Sequence, residues 1–170
     1  VKMKNARLSE EFQTEVNYNL EICILASGSR GNAIYVSSGS SSILIDAGLS
    51  GIEIERRLKS KGLYPENLDA ILVSHEHTDH IQGVGVLSRR FNLPVYMSSK
   101  TEKTAVSQLG NIQVVNHFEC GSPFMIKDIS IHPFSISHDA EDPSGFTVTR
   151  NGPKIGIATD LGIATSLVKE

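Results

Sequence analysis

The strongest constraint on this chain is the stretch Ser74-His75-Glu76-His77-Thr78-Asp79-His80, which sets three histidines and an aspartate close together directly after an apolar run. That run, residues 68–73, is short, apolar and partly β-branched, as expected of a strand buried on both faces. From Asp79 onward, Ile81, Val84, Leu87 and Phe91 fall at helical spacing, with Asp79 placed to cap the first turn. The histidines therefore sit on a strand-to-helix loop. In extended backbone successive side chains alternate, so His75 and His77 share one side and can reach one ion, while Glu76 and Thr78 point to the other. Asp79 and His80 turn with the helix start toward a second position nearby. The spacing differs from two histidines four apart on a helix face. A closed structural zinc site usually leans on cysteine, and none lies near. Two adjacent cations suit this pattern.

The surrounding chain reads as strands first, then β-α-β-α, then alternating strands. Two apolar segments, residues 21–26 and 32–36, flank Ser27-Gly28-Ser29-Arg30-Gly31-Asn32, where the glycines and Asn32 permit a hairpin turn. A third strand over 41–45 ends at Asp46-Ala47-Gly48, placing a carboxylate where strand ends converge. Residues 51–61 form a helix with a solvated charged face, 93–97 a strand, and 101–109 a helix closed by Gly110. Beyond Asn111, strands are expected over 124–127, 129–136, 146–150 and 154–158, with Asn151-Gly152 as a hairpin signal between the last two. His138 and Asp160 each follow a strand end, where such a residue is more often structural than a ligand. His132, mid-strand before Pro133, and His117, in a loop, read as satisfied or solvated side chains.

With 170 residues, 39% hydrophobic and 21% charged, the chain can bury one core and make one domain. Residues 1–20 read as a polar extension in which Leu8, Phe12 and Val16 give at most a weakly amphipathic helix, and 21–170 as the domain. A net charge of −3 supplies no general attraction to nucleic acid or to an anionic membrane, so any phosphate affinity must be local or come from metals. Cys23 and Cys120 are no disulfide framework, which suits a reduced cytoplasm. No apolar run approaches the roughly twenty residues of a membrane span, and residues 1–20 lack a signal-peptide core. The expectation is a cytoplasmic protein with no membrane partner.

Three further stretches accompany the histidine loop: Ile24-Leu25-Ala26-Ser27-Gly28-Ser29-Arg30-Gly31-Asn32-Ala33, Ile43-Leu44-Ile45-Asp46-Ala47-Gly48 and Gly83-Val84-Gly85-Val86-Leu87. Together with H-x-H-x-D-H they resemble the metallo-β-lactamase-fold hydrolases, in their YycJ/WalJ-like branch, over residues 21–165. The resemblance implies an α/β (α+β) fold, the αβ/βα sandwich of two mixed sheets with outer helices and the metals at one sheet edge. It implies two divalent ions, Zn, Mn or Fe: His75, His77 and His138 on one, Asp79 and His80 on the other, and Asp160 bridging, with Asp79 also counted as catalytic. Asp46 would hold the histidine loop by hydrogen bonds, and Ser29, Arg30 and Asn32 would lie beside the metals to meet a substrate phosphate. A water or hydroxide between cations about 3.5 to 4 Å apart would be the nucleophile.

The substrate implied is a phosphodiester in nucleic acid, cut by a phosphodiesterase or exonuclease. Thioester or lactam hydrolysis on the same scaffold is the alternative, and a catalytically silent metal-binding module is a third reading. In the family the second metal gains a further histidine from the far half. Here only Leu161 to Glu170 follow Asp160, with Ile163, Leu167 and Val168 beginning a helical pattern. The expectation is a domain shortened at its C-terminal half, with exposed apolar area that could pair chains into a homo-oligomer.

Overall fold

The computed structural model describes residues 20–152 and 154–164; the stretch with Leu8, Phe12 and Val16, and Leu167 and Val168 of the tail, lie outside the described residues. β1 (Glu21–Ala26) and β2 (Ala33–Ser37) pair antiparallel around the glycine-containing turn, and β3 (Ser42–Ile45) returns antiparallel to β2. From there the sheet grows by parallel strands: β4 (Ala70–Leu72), β5 (Val95–Met97) and β6 (Val115–His117), in spatial order β1-β2-β3-β4-β5-β6. Parallel neighbours need crossovers. These contain α1 (Gly51–Ser60), then α2 (Thr78–Ile81) with α3 (Val84–Phe91), then α4 (Ser99–Leu109). A second, antiparallel sheet has the order β10-β9-β8-β7, from β7 (Phe124–Ile126), β8 (Ile129–Ser135), β9 (Ser144–Thr149) and β10 (Lys154–Ile157).

Both faces of the first sheet are apolar, and the period of two assigns them. Leu44, Ile71 and Val95 face Ile54, Leu58, Leu87 and Leu109 under the helices. Ile43, Ile45 and Leu72 face Ile129, Ile131, Phe146 and Val148 of the second sheet. Each such side chain contributes about 1.5–3 kcal/mol on burial, so these two layers fix the sheets. At the sheet ends away from the histidine loop, Asp128 clasps the β2–β3 turn. Its carboxylate accepts from Ser38 Oγ at 2.9 Å, Ser40 Oγ at 2.6 Å and Ser41 Oγ, and pairs with Arg150 Nε at 2.7 Å. Burial alone would raise the Asp128 pKa, but the three hydroxyls and the guanidinium pull it down to about 2.

The mixed two-sheet architecture and the Asn151-Gly152 hairpin agree with the sequence reading; three local expectations do not. The helix expected from Asp79 through Phe91 is two helices, because Gly83 breaks it. The Gly83 N–H donates to Ala47 O at 2.7 Å, and a Cβ there would stand 2.5 Å from Leu49 O. Asp79 is no cap: His77 holds the N-cap position of α2 without a side-chain bond, and Asp79 lies in the first turn. His117 is not in a loop but closes β6, opposite Met97, with Nε2 2.7 Å from Glu102 Oε2. β6 escaped notice because it is three residues long and only partly buried. Both cysteines are free, and no helix among the described residues is long and apolar enough to cross a membrane.

Candidate metal centre

β3 ends at Asp46, whose φ of 59° is a left-handed conformation that Asp tolerates better than most residues. The turn sends its carboxylate under the histidine loop, where it is 1% exposed. Such a buried charge needs partners, and Asp46 has three: Ser74 N at 2.8 Å, Ser74 Oγ at 2.7 Å and His80 Nδ1 at 2.7 Å. His80 therefore keeps a hydrogen on Nδ1 and turns Nε2 outward. With the Ser74 hydroxyl committed to Asp46, Ser74 Oγ accepts from His75 Nδ1 at 2.9 Å, which frees His75 Nε2 in the same way. Asp139 Oδ1, 3.0 Å from His138 Nδ1, does so for His138 Nε2.

The freed nitrogens converge. His77 Nδ1 stands 3.2 Å from His75 Nε2 and 3.1 Å from His138 Nε2, with ring planes at 79–81° to one another. A tetrahedral ion with nitrogen ligands at about 2.0–2.1 Å separates those ligands by about 3.3–3.4 Å. The three histidines fit such an ion with little rearrangement. Beside them, Asp160 Oδ2 lies 2.6 Å from His80 Nε2 and 3.7 Å from His75 Nε2, so one carboxylate reaches both neighbourhoods. Asp79 Oδ2 is 3.7 Å from His80 Nε2. Among the described residues, two groups have metal-ligand geometry: His75, His77 and His138, and His75, His80 and Asp160.

The electrostatics separate the two buried imidazoles. Burial, ahead of the neighbouring His80, pushes the His75 pKa down to about 4, with Asp46 opposing and His77 and His138 adding to the fall. Burial works the same way on His80, but the Asp46 hydrogen bond and charge, then Asp160 and Asp79, override it and raise the pKa. His75 is thus a neutral donor at any ordinary pH, whereas His80 sits in the field of three carboxylates.

Backbone contacts hold the loop in place. Asn32 N donates to Asp79 O, Ala47 N to His80 O and Gly48 N to Asn32 O, each at 2.8 Å. The Asn32 amide, held by Gly28 N donating to its Oδ1 at 3.0 Å, brings Nδ2 to 3.0 Å from His80 Nε2 and 3.4 Å from Asp79 Oδ2. Of the residues assigned to a substrate phosphate, Asn32 therefore reaches the centre. Ser29 and Arg30 have no hydrogen bond or ion pair to it among the described residues; they line a cavity of about 300 Å³ on the same loop. Glu76 and Thr78 point away: Glu76 Oε1 accepts from Glu141 N at 2.8 Å, and Thr78 Oγ1 donates to Gln108 Oε1 at 3.1 Å. Sequence reasoning missed Ser74 and Asp139. Each adjoins a histidine of the first group, and that adjacency was the available signal.

Residues 26–163 match the profile of the Metallo-beta-lactamase superfamily. The chain is 39% identical over 152 residues to Exodeoxyribonuclease YycJ of Bacillus anthracis, covering 88% of this chain and 58% of that protein. It is 40% identical over 143 residues to Exodeoxyribonuclease WalJ of Streptococcus pneumoniae, covering 82% and 53%. The chain thus spans little more than half the length of these curated relatives. Among solved structures, the metallo-beta-lactamase fold protein YhfI of Bacillus subtilis superposes with a TM-score of 0.68 at 18% identity, over 81% of this chain and 61% of that one. A metallo-beta-lactamase of Cronobacter sakazakii gives 0.68 at 15% identity, over 79% and 58%. With its two-sheet fold and its histidine loop at the sheet ends, this chain belongs to the metallo-β-lactamase superfamily.

Proposed function

We propose that this chain carries the hydrolytic centre of a phosphodiesterase acting on nucleic acid, in exonuclease fashion. The observation that carries the reading is the meeting of two donor groups at His75, with Asp160 Oδ2 2.6 Å from His80 Nε2 and 3.7 Å from His75 Nε2. His75, His77 and His138 would hold one divalent ion, Asp79 and His80 a second, with Asp160 shared. Bound there, two cations would supply a Lewis acid and a water acidified toward pH 7. An all-nitrogen-and-oxygen donor set suits Zn, Mn or Fe.

The chain's own residues do the rest. Asp46 and Ser74 fix the ring orientations of His80 and His75, so both aim Nε2 at the centre; His75 does so as a neutral ring, and His80 binds once it has released the proton that its carboxylates favour. Asp79 would serve as a ligand, and the Asn32 amide, 3.4 Å from its carboxylate, limits where that carboxylate can swing. Of the loop residues, Asn32 is the one placed to meet the phosphate that is cut. The names of the YycJ and WalJ relatives, both exodeoxyribonucleases, favour DNA over the thioester and lactam alternatives.

The test is hydrolysis of end-labelled DNA by the purified chain in Mn²⁺ or Zn²⁺ and in EDTA, with a thioester and a β-lactam in parallel. Metal-dependent release of mononucleotides, without turnover of the other two, is the expected result. Turnover of the thioester or the lactam alone would replace the reading. Stoichiometric metal binding with no turnover of any substrate would leave a metal-binding module.

A further inference from the structure

The cavity beside the loop carries chemistry that the metal cluster does not use. Its walls include Ser27, Ser29, Arg30, Gly31, Leu49 and Arg57, and its volume is about 300 Å³. Arg57 comes from α1 but reaches across to β1: Nη1 donates to Leu25 O at 2.7 Å and Nε to Glu53 Oε1 at 2.7 Å. Nη2 has no partner among the described residues. Those two bonds give Arg57 a structural role as a tie between α1 and β1. They do not account for Arg30, an exposed guanidinium with no hydrogen bond or ion pair among the described residues, on the wall of the same cavity. Arg56 and Arg57 share the single carboxylate of Glu53, so with Arg30 the surroundings carry an excess of positive charge on a chain whose net charge is −3.

Its place in the fold matters as much as its charge. Gly31 forms part of the wall, and the next residue, Asn32, has its amide 3.0 Å from His80 Nε2. Consecutive Cα atoms are about 3.8 Å apart, so the wall begins one residue from the centre. A strand cut at the centre carries further phosphates on either side of the one attacked, and a cavity that adjoins the centre along the same loop lies where a flanking one passes. The Arg30 fork can bind phosphate oxygens in a pair and Arg57 Nη2 can add a single bond, while the Leu49 side chain offers an apolar wall for a sugar. A thioester or a lactam brings no second phosphate for two such groups.

We propose that this cavity is a second phosphate subsite, where Arg57 and Arg30 hold a backbone phosphate of the strand flanking the one that is cut. The proposal rests on the nuclease reading, and its test separates the two. Binding of a short single-stranded DNA with phosphorothioate links is followed by fluorescence anisotropy over a salt series in the presence of Mn²⁺, for wild type, Arg57→Gln and Arg30→Ala. Loss of one phosphate contact lowers the slope of log affinity against log salt by about 0.7, and each variant is expected to show it. Each should also raise KM on unmodified DNA about tenfold, by more than on bis(p-nitrophenyl) phosphate, which has one phosphate only. If Arg57→Gln melts early because its tie to Leu25 is gone, Arg30→Ala, which removes no intramolecular bond, decides alone. Wild-type salt slope and KM in the folded variants would overturn the subsite and leave the nuclease reading standing. Failure of the wild-type chain to bind or cut DNA would overturn both.

Discussion

Gly48 sets where Asp79 and His80 stand, and Gly48→Ala is the sharpest test of that geometry. A methyl at this position would lie 1.5 Å from the Asp79 carbonyl oxygen, 2.2 Å from its carbonyl carbon and 2.7 Å from Asn32 N. None of these is a side chain that can rotate away. Real Cβ atoms essentially never approach closer than 3.0 Å, so the backbone at Asp79 must retreat by about 1.5 Å. That movement breaks the Asn32 N to Asp79 O bond and strains the Ala47 N to His80 O bond, both 2.8 Å now. Overpacking costs about 1–3 kcal/mol and a lost hydrogen bond about 0.5–1.5 kcal/mol, together about 2–4 kcal/mol. For a domain of this size the thermal midpoint should fall by about 5–15 °C. Metal sites tolerate ligand displacements of only about 0.2 Å. The ion assigned to Asp79 and His80 should be lost first, while His138, on the other sheet, stays in place. Circular dichroism melts and atomic emission on protein dialysed against buffered Mn²⁺ or Zn²⁺ read both effects. Gly156→Ala is the control: nothing lies within 4 Å of a methyl there, and the expected change is within about 0.5 kcal/mol. A Gly48→Ala protein with wild-type midpoint and metal content would refute the reasoning.

Asp46→Asn keeps the shape but not the three-fold acceptor, and should weaken the ion assigned to His80 about 10- to 100-fold by titration calorimetry; unchanged affinity would mean that the hydrogen bonds to Ser74 and His80 do not tune the centre. Asp128 holds its pKa near 2 in the folded chain, so its contribution is fully present above the ordinary carboxylate value of about 3.9 and is lost as pH falls through 2. Asp128→Asn should therefore cost about 1 kcal/mol in urea melts at pH 7, discounted for its partial exposure, with the difference shrinking toward pH 2 and metal content unaltered. Glu76→Gln should leave metal stoichiometry unchanged and Asp79→Ala should lower it, since Glu76 turns to Glu141 N; equal losses would contradict the alternation. The ion on the three histidines should bind more tightly than the one on Asp79, His80 and Asp160. The second affinity should also fall more steeply from pH 8 to 6, because His80 has a raised pKa and must give up a proton, whereas His75, near 4, is already neutral.

Much of the centre was legible because strand backbone enforces alternation. His75 and His77 share a side and Glu76 does not, and that followed from the sequence with no tertiary information. Asp46 was legible as a strand-end carboxylate for the same reason. His138 and Asp160 were not: nothing in the residues around either one says that its strand end faces the loop on the other sheet, and only the family resemblance singled them out. The break at Gly83 depends on Ala47 and Leu49, more than thirty positions earlier, so helical periodicity ran straight through it. Arg57 read as part of a solvated helix face. Its reach to Leu25 O depends on how α1 packs on β1, which periodicity does not encode.

The division of the donors between two sheets explains why the centre needs the whole sandwich. β3 and β4 lead into Asp46, Ser74, His75, His77, Asp79 and His80, while β8 and β10 lead into His138 and Asp160. Besides the His77–His138 and His80–Asp160 contacts, two bonds from backbone N–H groups cross between the halves at the site: Ser144 N to Ser74 O at 3.1 Å and Glu141 N to Glu76 Oε1 at 2.8 Å. The apolar layer of Ile43, Ile45, Ile131 and Phe146 sets the spacing between the sheets, and the two bonds set the local register. An ion drawing His75, His77 and His138 together would close the same gap from the solvent side. Ligand geometry and sheet packing then favour one arrangement, and anything that shifts one sheet against the other weakens both.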